Sequence, residues 1–214
     1  MKKLFDSLLP SVTRPSRYVG NEINAAVKDL DRAAVTVLLA FPDVYEVGMS
    51  HLGLQILYHI LNQREDIAAE RVFAPWIDME AVLRERNLPL LSLESRHPAG
   101  RFDIIGFSLQ YELSYTNVLT MLDLAGIPLH WNERTREHPL IIAGGPCTFN
   151  PEPVADFFDA LVVGEGEEVI LELINVYQTW RKGREERREL LSMLSTIPGV
   201  YVPARLSVAY APDG

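Results

Sequence analysis

The sequence predicts an α/β fold: a doubly wound, flavodoxin-like (Rossmann-like) sheet of about five mainly parallel strands with helices on both faces. Three observations carry that prediction. Apolar runs such as "AVTVLLAF", "FDIIGFSLQ" and "PLIIAGGP" are continuous in Val, Ile and Leu rather than alternating, the pattern of strands buried on both faces. Amphipathic stretches of helical period separate them, which implies crossover helices and a parallel sheet. The composition, 48% hydrophobic and 23% charged over 214 residues, suits one well-buried domain plus an appendage.

Residues 1–32 form an N-terminal extension without clear alternation, with a short helix around Lys3–Leu9 and a Pro-containing connector. Ala34–Phe41 is the first strand and ends at Pro42. In "SHLGLQILYHILNQRED", Leu52, Ile56, Leu57, Ile60 and Leu61 share one helical face, with Ser50 as N-cap. Ala69–Pro75 is a second strand and Trp76–Asn87 a second helix, and "LPLLSLES" adds a short edge strand. Phe102–Gln110 is a strong buried strand; the helix "YELSYTNVLTMLDLAG" follows and closes at Gly126 as a glycine C-cap. Pro139–Pro146 and Asp159–Glu168 supply two more strands, followed by helices from Glu167 to about Trp180 and from Arg184 to Ser195. The α/β domain is thus assigned to 33–182, and 183–214 to a C-terminal helix and linker. The tail "TIPGVYVPARLSVAYAPDG" alternates weakly around Pro198, Pro203 and Pro212, as expected of a connection into another domain.

Several function classes are excluded. A net charge of −9 without a basic face argues against direct nucleic-acid binding. The one basic cluster, "RKGREERREL", is interleaved with glutamates, as in a solvated helix face. No apolar run approaches the ~20 residues of a membrane span, and the N-terminal patch is broken by Asp6 and prolines, so a cytoplasmic location is expected. The single cysteine, Cys147, excludes a disulfide framework, a cysteine-rich zinc site and a cysteine-ligated iron–sulfur cluster within these residues. A nucleophile elbow, a lysine-bearing phosphate loop and a histidine pair at metal spacing are all missing, against a stand-alone hydrolase or transferase.

For strand order 2-1-3-4-5, ligands bind beyond the carboxyl ends of the strands, between the first and third. The loops meeting there are Pro42–Gly48 and Ser108–Glu112, with Gly144–Thr148 one strand along. Gly144 and Gly145 either admit a close backbone approach to a ligand or form a tight turn against a helix. Ser108 either offers a hydroxyl to the crevice or bonds locally to backbone. Glu165, Glu167 and Glu168 in "GEGEE" open a helix, where acidic side chains suit the positive dipole end; Glu165 is read as structural. Cys147 is read as a small buried hydrophobe or a marginal site residue.

Four segments together carry a resemblance: Asp43-x-Tyr45-x-x-Gly48, Ser108-x-Gln110, Gly144-Gly145-Pro146 and Gly164-Glu165-Gly166-Glu167. Over roughly Ala34–Leu173 the chain resembles the N-terminal, cobalamin-binding-type domain of radical S-adenosylmethionine (SAM) proteins. The resemblance implies that the double glycine and Ser108 line a slot for the nucleotide tail of cobalamin. It makes Asp43, Tyr45, Gly48, Ser108, Gln110, Gly144, Gly145 and Cys147 the candidate cofactor-binding set. The family pattern has histidine as cobalt ligand where this chain has Tyr45, and leucine where it has Gln110. Three readings follow: cobalamin without a protein ligand below cobalt, a different ligand in the same crevice, or a vestigial domain filled by Tyr45 and used for structure or docking. His51 is read as an exposed or capping histidine rather than a replacement ligand. The stretch from Gly48 to Ser108 is longer than the family's usual gap, with the excess around Pro89–Arg101, placed to cover the crevice or extend the sheet edge. The SAM-cleaving cluster needs a C-x-x-x-C-x-x-C motif that one cysteine cannot supply. The resemblance therefore places SAM and the iron–sulfur cluster in a radical SAM domain outside this chain, the expected partner.

Overall fold

Strand β1 (Val35–Phe41) shows how the sequence builds the fold. Leu38 and Ala40 point into one core cluster, Val37, Leu39 and Phe41 into another, so both faces of the strand must be apolar. The computed structural model describes residues 2–183 and 185–206. Helix α1 (Lys2–Asp6) precedes β1; α2 (Tyr45–Gly48), α3 (Leu52–Gln63), β2 (Ile67–Phe73), α4 (Ile77–Glu85), β3 (Ile104–Ser108) and α5 (Tyr115–Leu124) follow. Then come β4 (Leu140–Gly144), β5 (Ala160–Val162), α6 (Gly166–Lys182), α7 (Arg187–Leu194) and β6 (Val200–Tyr201). The sheet order is β2-β1-β3-β4-β5-β6. The first five strands are parallel, as the sequence implied, and the two-residue β6 adds an antiparallel edge to β5. This sixth strand comes from the segment read as linker; residues 207–214 of that tail, and Arg184 at the start of the expected last helix, lie outside the described residues. Helices α3, α6 and α7 cover the face of Val37 and Leu39, and α1, α4 and α5 the face of Leu38.

Two local expectations change. Ser50 does not cap α3: its hydroxyl donates to Val47 O at 2.8 Å, because the turn of α2 runs on to that position. His51, in extended backbone, is the N-cap, its Nδ1 accepting the Leu54 N–H at 3.1 Å. The segment "LPLLSLES" is not a strand; only a Leu91–Pro98 bridge forms, and Arg96 turns the chain at φ 62. It still closes the sheet edge. Leu93 N–H donates to Arg71 O at 2.7 Å, and Arg71 N–H to the Glu94 carboxylate at 2.8 Å. An Arg71–Glu94 ion pair of 2.7 Å, almost wholly buried, fastens the insertion to β2. The Pro89–Arg101 excess thus protects an otherwise open edge.

The segment ahead of β1 packs on the same core. Phe5, Leu8 and Val12 are buried, Lys28 Nζ donates to Arg64 O and Ile67 O at 2.6 and 2.7 Å, and Arg96 donates to Tyr18 O and Val19 O. At the amino ends of the strands, fully buried Asp159 pairs with Arg134 at 3.1 Å and Arg187 at 2.8 Å and accepts the Ile141 N–H. That cluster locks α7 and the loop before β4 onto the sheet. Among the described residues no helix is long and apolar enough to cross a membrane.

Candidate functional site

A cavity of about 190 Å³ opens at the carboxyl ends of β1, β3, β4 and β5, between the sheet and helices α3 and α6. Its floor is one register row: Leu39 opposite Gly106, and Gly106 opposite Ile142. Gly106 carries no side chain at the centre of that row. A Cβ there would meet Ile142 and Leu39 only at ordinary contact distances, 3.6 to 3.9 Å, so the glycine leaves space rather than relieving a clash. This is the switch point between β1 and β3, where a doubly wound sheet receives its ligands.

The wall residues come from four loops. Ser108 ends β3, and Gln110 follows in the same loop. Gly144 ends β4, and Gly145 next to it adopts φ 105, a backbone conformation open to glycine. A Cβ on Gly145 would lie 2.6 Å from Leu109 O and 3.1 Å from Gln110 Nε2, so the β3 and β4 loops interlock there. Glu165 and Glu167 enter from the start of α6, and His51 and Gly53 from the start of α3. The Ser108 hydroxyl, the Gln110 amide and both carboxylates have no hydrogen-bond partner among the described residues, and none of them is shut away from solvent.

Residues 53–203 of the 214 match the family model described as radical SAM proteins, N-terminal. The chain belongs to that family. It is also similar to the uncharacterized protein MJ0966 of Methanocaldococcus jannaschii, 29% identical over 143 residues, which is 65% of this chain and 26% of that protein. The chain therefore spans about a quarter of the length of this curated relative.

In this radical SAM N-terminal domain the structure sorts the candidate residues into two groups. Ser108, Gln110, Gly144 and Gly145 line the cavity. Asp43, Tyr45, Gly48 and Cys147 do not, and the first three also precede the matched span. Asp43 accepts the Val44 N–H at 2.7 Å and the Tyr111 hydroxyl at 2.7 Å, tying the β1 loop to the β3 loop. Tyr45 turns the other way. Its ring packs edge-on against Phe73 at 5.5 Å and its hydroxyl donates to Glu22 at 2.5 Å. Burial first, and the Glu22 carboxylate second, push its pKa up to about 12, so the phenol stays neutral. It borders a separate hollow of about 30 Å³ with Tyr18, Phe73 and Arg96. Gly48 is buried, and only a glycine fits there, since a Cβ would lie 2.4 Å from the Phe73 ring. Cys147 is a buried core residue whose thiol burial pushes up, consistent with a hydrophobe rather than a nucleophile.

Sequence reasoning passed over His51, Gly106 and the two carboxylates as wall residues. The glycine inside "FDIIGFSLQ" was the available signal, since a glycine within a buried strand marks either a bulge or a space. Nothing local distinguished a capping glutamate from a wall glutamate at Glu165, which makes no capping hydrogen bond.

Proposed function

We propose that this domain is the accessory, ligand-binding part of a radical SAM protein and that its crevice holds the nucleotide tail of cobalamin, with no cobalt ligand from the Asp43–Gly48 loop. The observation that supports this reading best is the open cavity at the switch point, walled by polar groups without partners among the described residues and floored by a glycine. At about 190 Å³ it is smaller than the ~300–1,000 Å³ of a site that encloses a whole drug-sized ligand, and it suits one ring of a larger one. Tyr45 does not fill it, which argues against the vestigial reading.

The residues fit the tail and not a cobalt ligand. Ser108, Gln110 and the glycines Gly144 and Gly145 would hold the tail in place; Gly106 provides the depth. Tyr45 offers a neutral phenol already donated to Glu22 and directed into another hollow. When bound, cobalamin supplies a cobalt centre able to carry a methyl group. The SAM-binding iron–sulfur cluster is assigned to the part of the parent protein outside these residues, because this sequence has one cysteine. That radical SAM domain is the partner to which this one would present its cofactor.

The test is a titration of this chain with hydroxocobalamin followed by visible spectroscopy, with dicyanocobinamide, which lacks the nucleotide tail, in parallel. Saturable uptake with base-off bands, unchanged by Tyr45→Phe and much weaker for the cobinamide, is expected. Absence of saturable uptake overturns the cofactor reading and favours a domain that serves structure or substrate docking.

A further inference from the structure

We propose that the loops leaving the carboxyl ends of β1–β5 form an acidic, apolar-tipped docking face for a basic surface of the parent protein's radical SAM domain. The proposal deepens the accessory-domain reading above by naming the surface used and the chemistry of its partner, and rests on that reading only for the partner's identity. It requires no cofactor in the crevice.

Charge is spread unevenly over the molecule. Residues 42–52, 74–78, 109–114, 145–152 and 163–168 follow the five parallel strands, and they hold eight aspartates and glutamates but no lysine or arginine. The loops that enter the amino ends of the strands carry Arg64, Arg101, Arg134 and Arg136 instead. Arg14 and Arg17 reach the acidic end from the N-terminal segment, both pairing with Glu46, at 3.0 and 2.8 Å. Glu112, Glu165 and Glu168 are exposed and have no hydrogen-bond or ion-pair partner among the described residues. The starts of α3, α4, α5 and α6 turn partial positive charges of roughly +0.5 each toward this end, which offsets only a minority of the carboxylates.

Large apolar side chains stand on the same loops. Leu113 is 84% exposed and Phe149 75%, and Leu52, Trp76 and Ile77 are exposed on the adjoining loops. Strands β2, β1, β3 and β4 are neighbours in that order, so the loops that follow them lie side by side. They are also fastened to one another. Ala74 N–H donates to Asp43 O at 3.0 Å, the Tyr111 hydroxyl to the Asp43 carboxylate at 2.7 Å, and Cys147 N–H to Leu109 O at 3.2 Å. A lone exposed leucine is ordinary, but a row of large apolar tips on hydrogen-bonded neighbouring loops is a preformed patch of the kind that marks an interface.

Charge and apolarity together select the occupant. Nucleic acid and anionic lipid meet like charge here, and so does a second copy presenting the same face. A polypeptide surface with arginines and lysines around apolar side chains meets opposite charge and apolar area at once. In the relative from Methanocaldococcus jannaschii the matched segment is 26% of the protein, so most of that chain is available to cover such a face.

The experiment compares this chain with the full-length parent protein, both free of cobalamin, by hydrogen–deuterium exchange read by mass spectrometry. The expected result has residues 42–52, 109–114 and 145–152 exchanging at least about tenfold more slowly in the parent, with the amino-end loops equal in the two proteins. Raising the salt from about 0.1 M to about 1 M removes most of that protection, as screening requires. Glu112→Lys with Glu168→Lys does the same at low salt, and so does Leu113→Ser with Phe149→Ser. All four side chains are exposed, so both variants of the short chain should keep its melting temperature; the salt series needs no substitution and decides the matter even where a variant fails to fold. Equal loop exchange in the two proteins overturns the docking face. Protection that survives high salt overturns the basic partner and the proposal with it. Hydroxocobalamin uptake by this chain separates the two readings: uptake without loop protection leaves the cofactor reading standing and sinks this one, and protection without uptake does the reverse.

Discussion

Replacing Gly145 with alanine tests whether the cavity wall is built as described. Gly145 has φ 105 and ψ 177, a region that an L side chain enters at a cost of about 1–3 kcal/mol. The added methyl would stand 2.6 Å from Leu109 O, a backbone atom that also accepts the Cys147 N–H at 3.2 Å. Relief requires the Leu109 carbonyl to move, weakening that hydrogen bond by a further ~1 kcal/mol. Together these terms give about 2–4 kcal/mol, a drop of roughly 5–15 °C in melting temperature for a chain of this size. Gly144→Ala is the matched control. A Cβ at Gly144 meets nothing within 4 Å, so the variant should melt within about 1 kcal/mol of the parent while placing a methyl on the cavity wall. Urea and thermal unfolding followed by far-ultraviolet circular dichroism would measure both. A Gly145→Ala chain as stable as Gly144→Ala would refute the claim that the β3 and β4 loops interlock at this residue.

Gly106→Val should fold, because β-branched residues suit strands, yet fill the cavity floor; hydroxocobalamin titration should show binding lost, and thermal unfolding a melting temperature retained. Asp159→Asn leaves two buried guanidiniums without their carboxylate, so urea midpoints should report a loss of about 3–5 kcal/mol. Tyr45→Phe removes the hydrogen bond to Glu22 and should cost about 0.5–1.5 kcal/mol in chemical denaturation without changing cavity binding. The same bond carries a pH signature. With the folded pKa raised to about 12, its contribution is complete below the ordinary phenol value near 10 and disappears as pH rises through about 12. Unfolding free energies of wild type and Tyr45→Phe should therefore converge across that window, and a gap still open above it would contradict the assignment.

The sequence by itself determined the sheet and the location of its crevice. Continuous apolar runs and helical periodicity are local signals, and a strand such as Val35–Phe41 needs apolar side chains on both faces wherever it sits in the sheet core. Crossover handedness and strand order then fix the switch point, which is why Ser108, Gln110, Gly144 and Gly145 lie on one cavity. The direction of individual side chains was decided only in three dimensions, by partners distant along the chain. Tyr45 faces away because Glu22, 23 positions earlier, accepts its hydroxyl, and Asp43 is held by Tyr111, 68 positions later. The insertion at Pro89–Arg101 covers the β2 edge rather than the crevice because Arg71 pairs with Glu94 there. His51 joins the wall because the turn before α3 moved the cap one residue past Ser50. Periodicity specifies which faces are buried, whereas a polar side chain settles wherever the folded backbone places its hydrogen-bond partner, and that placement exists only in the tertiary structure.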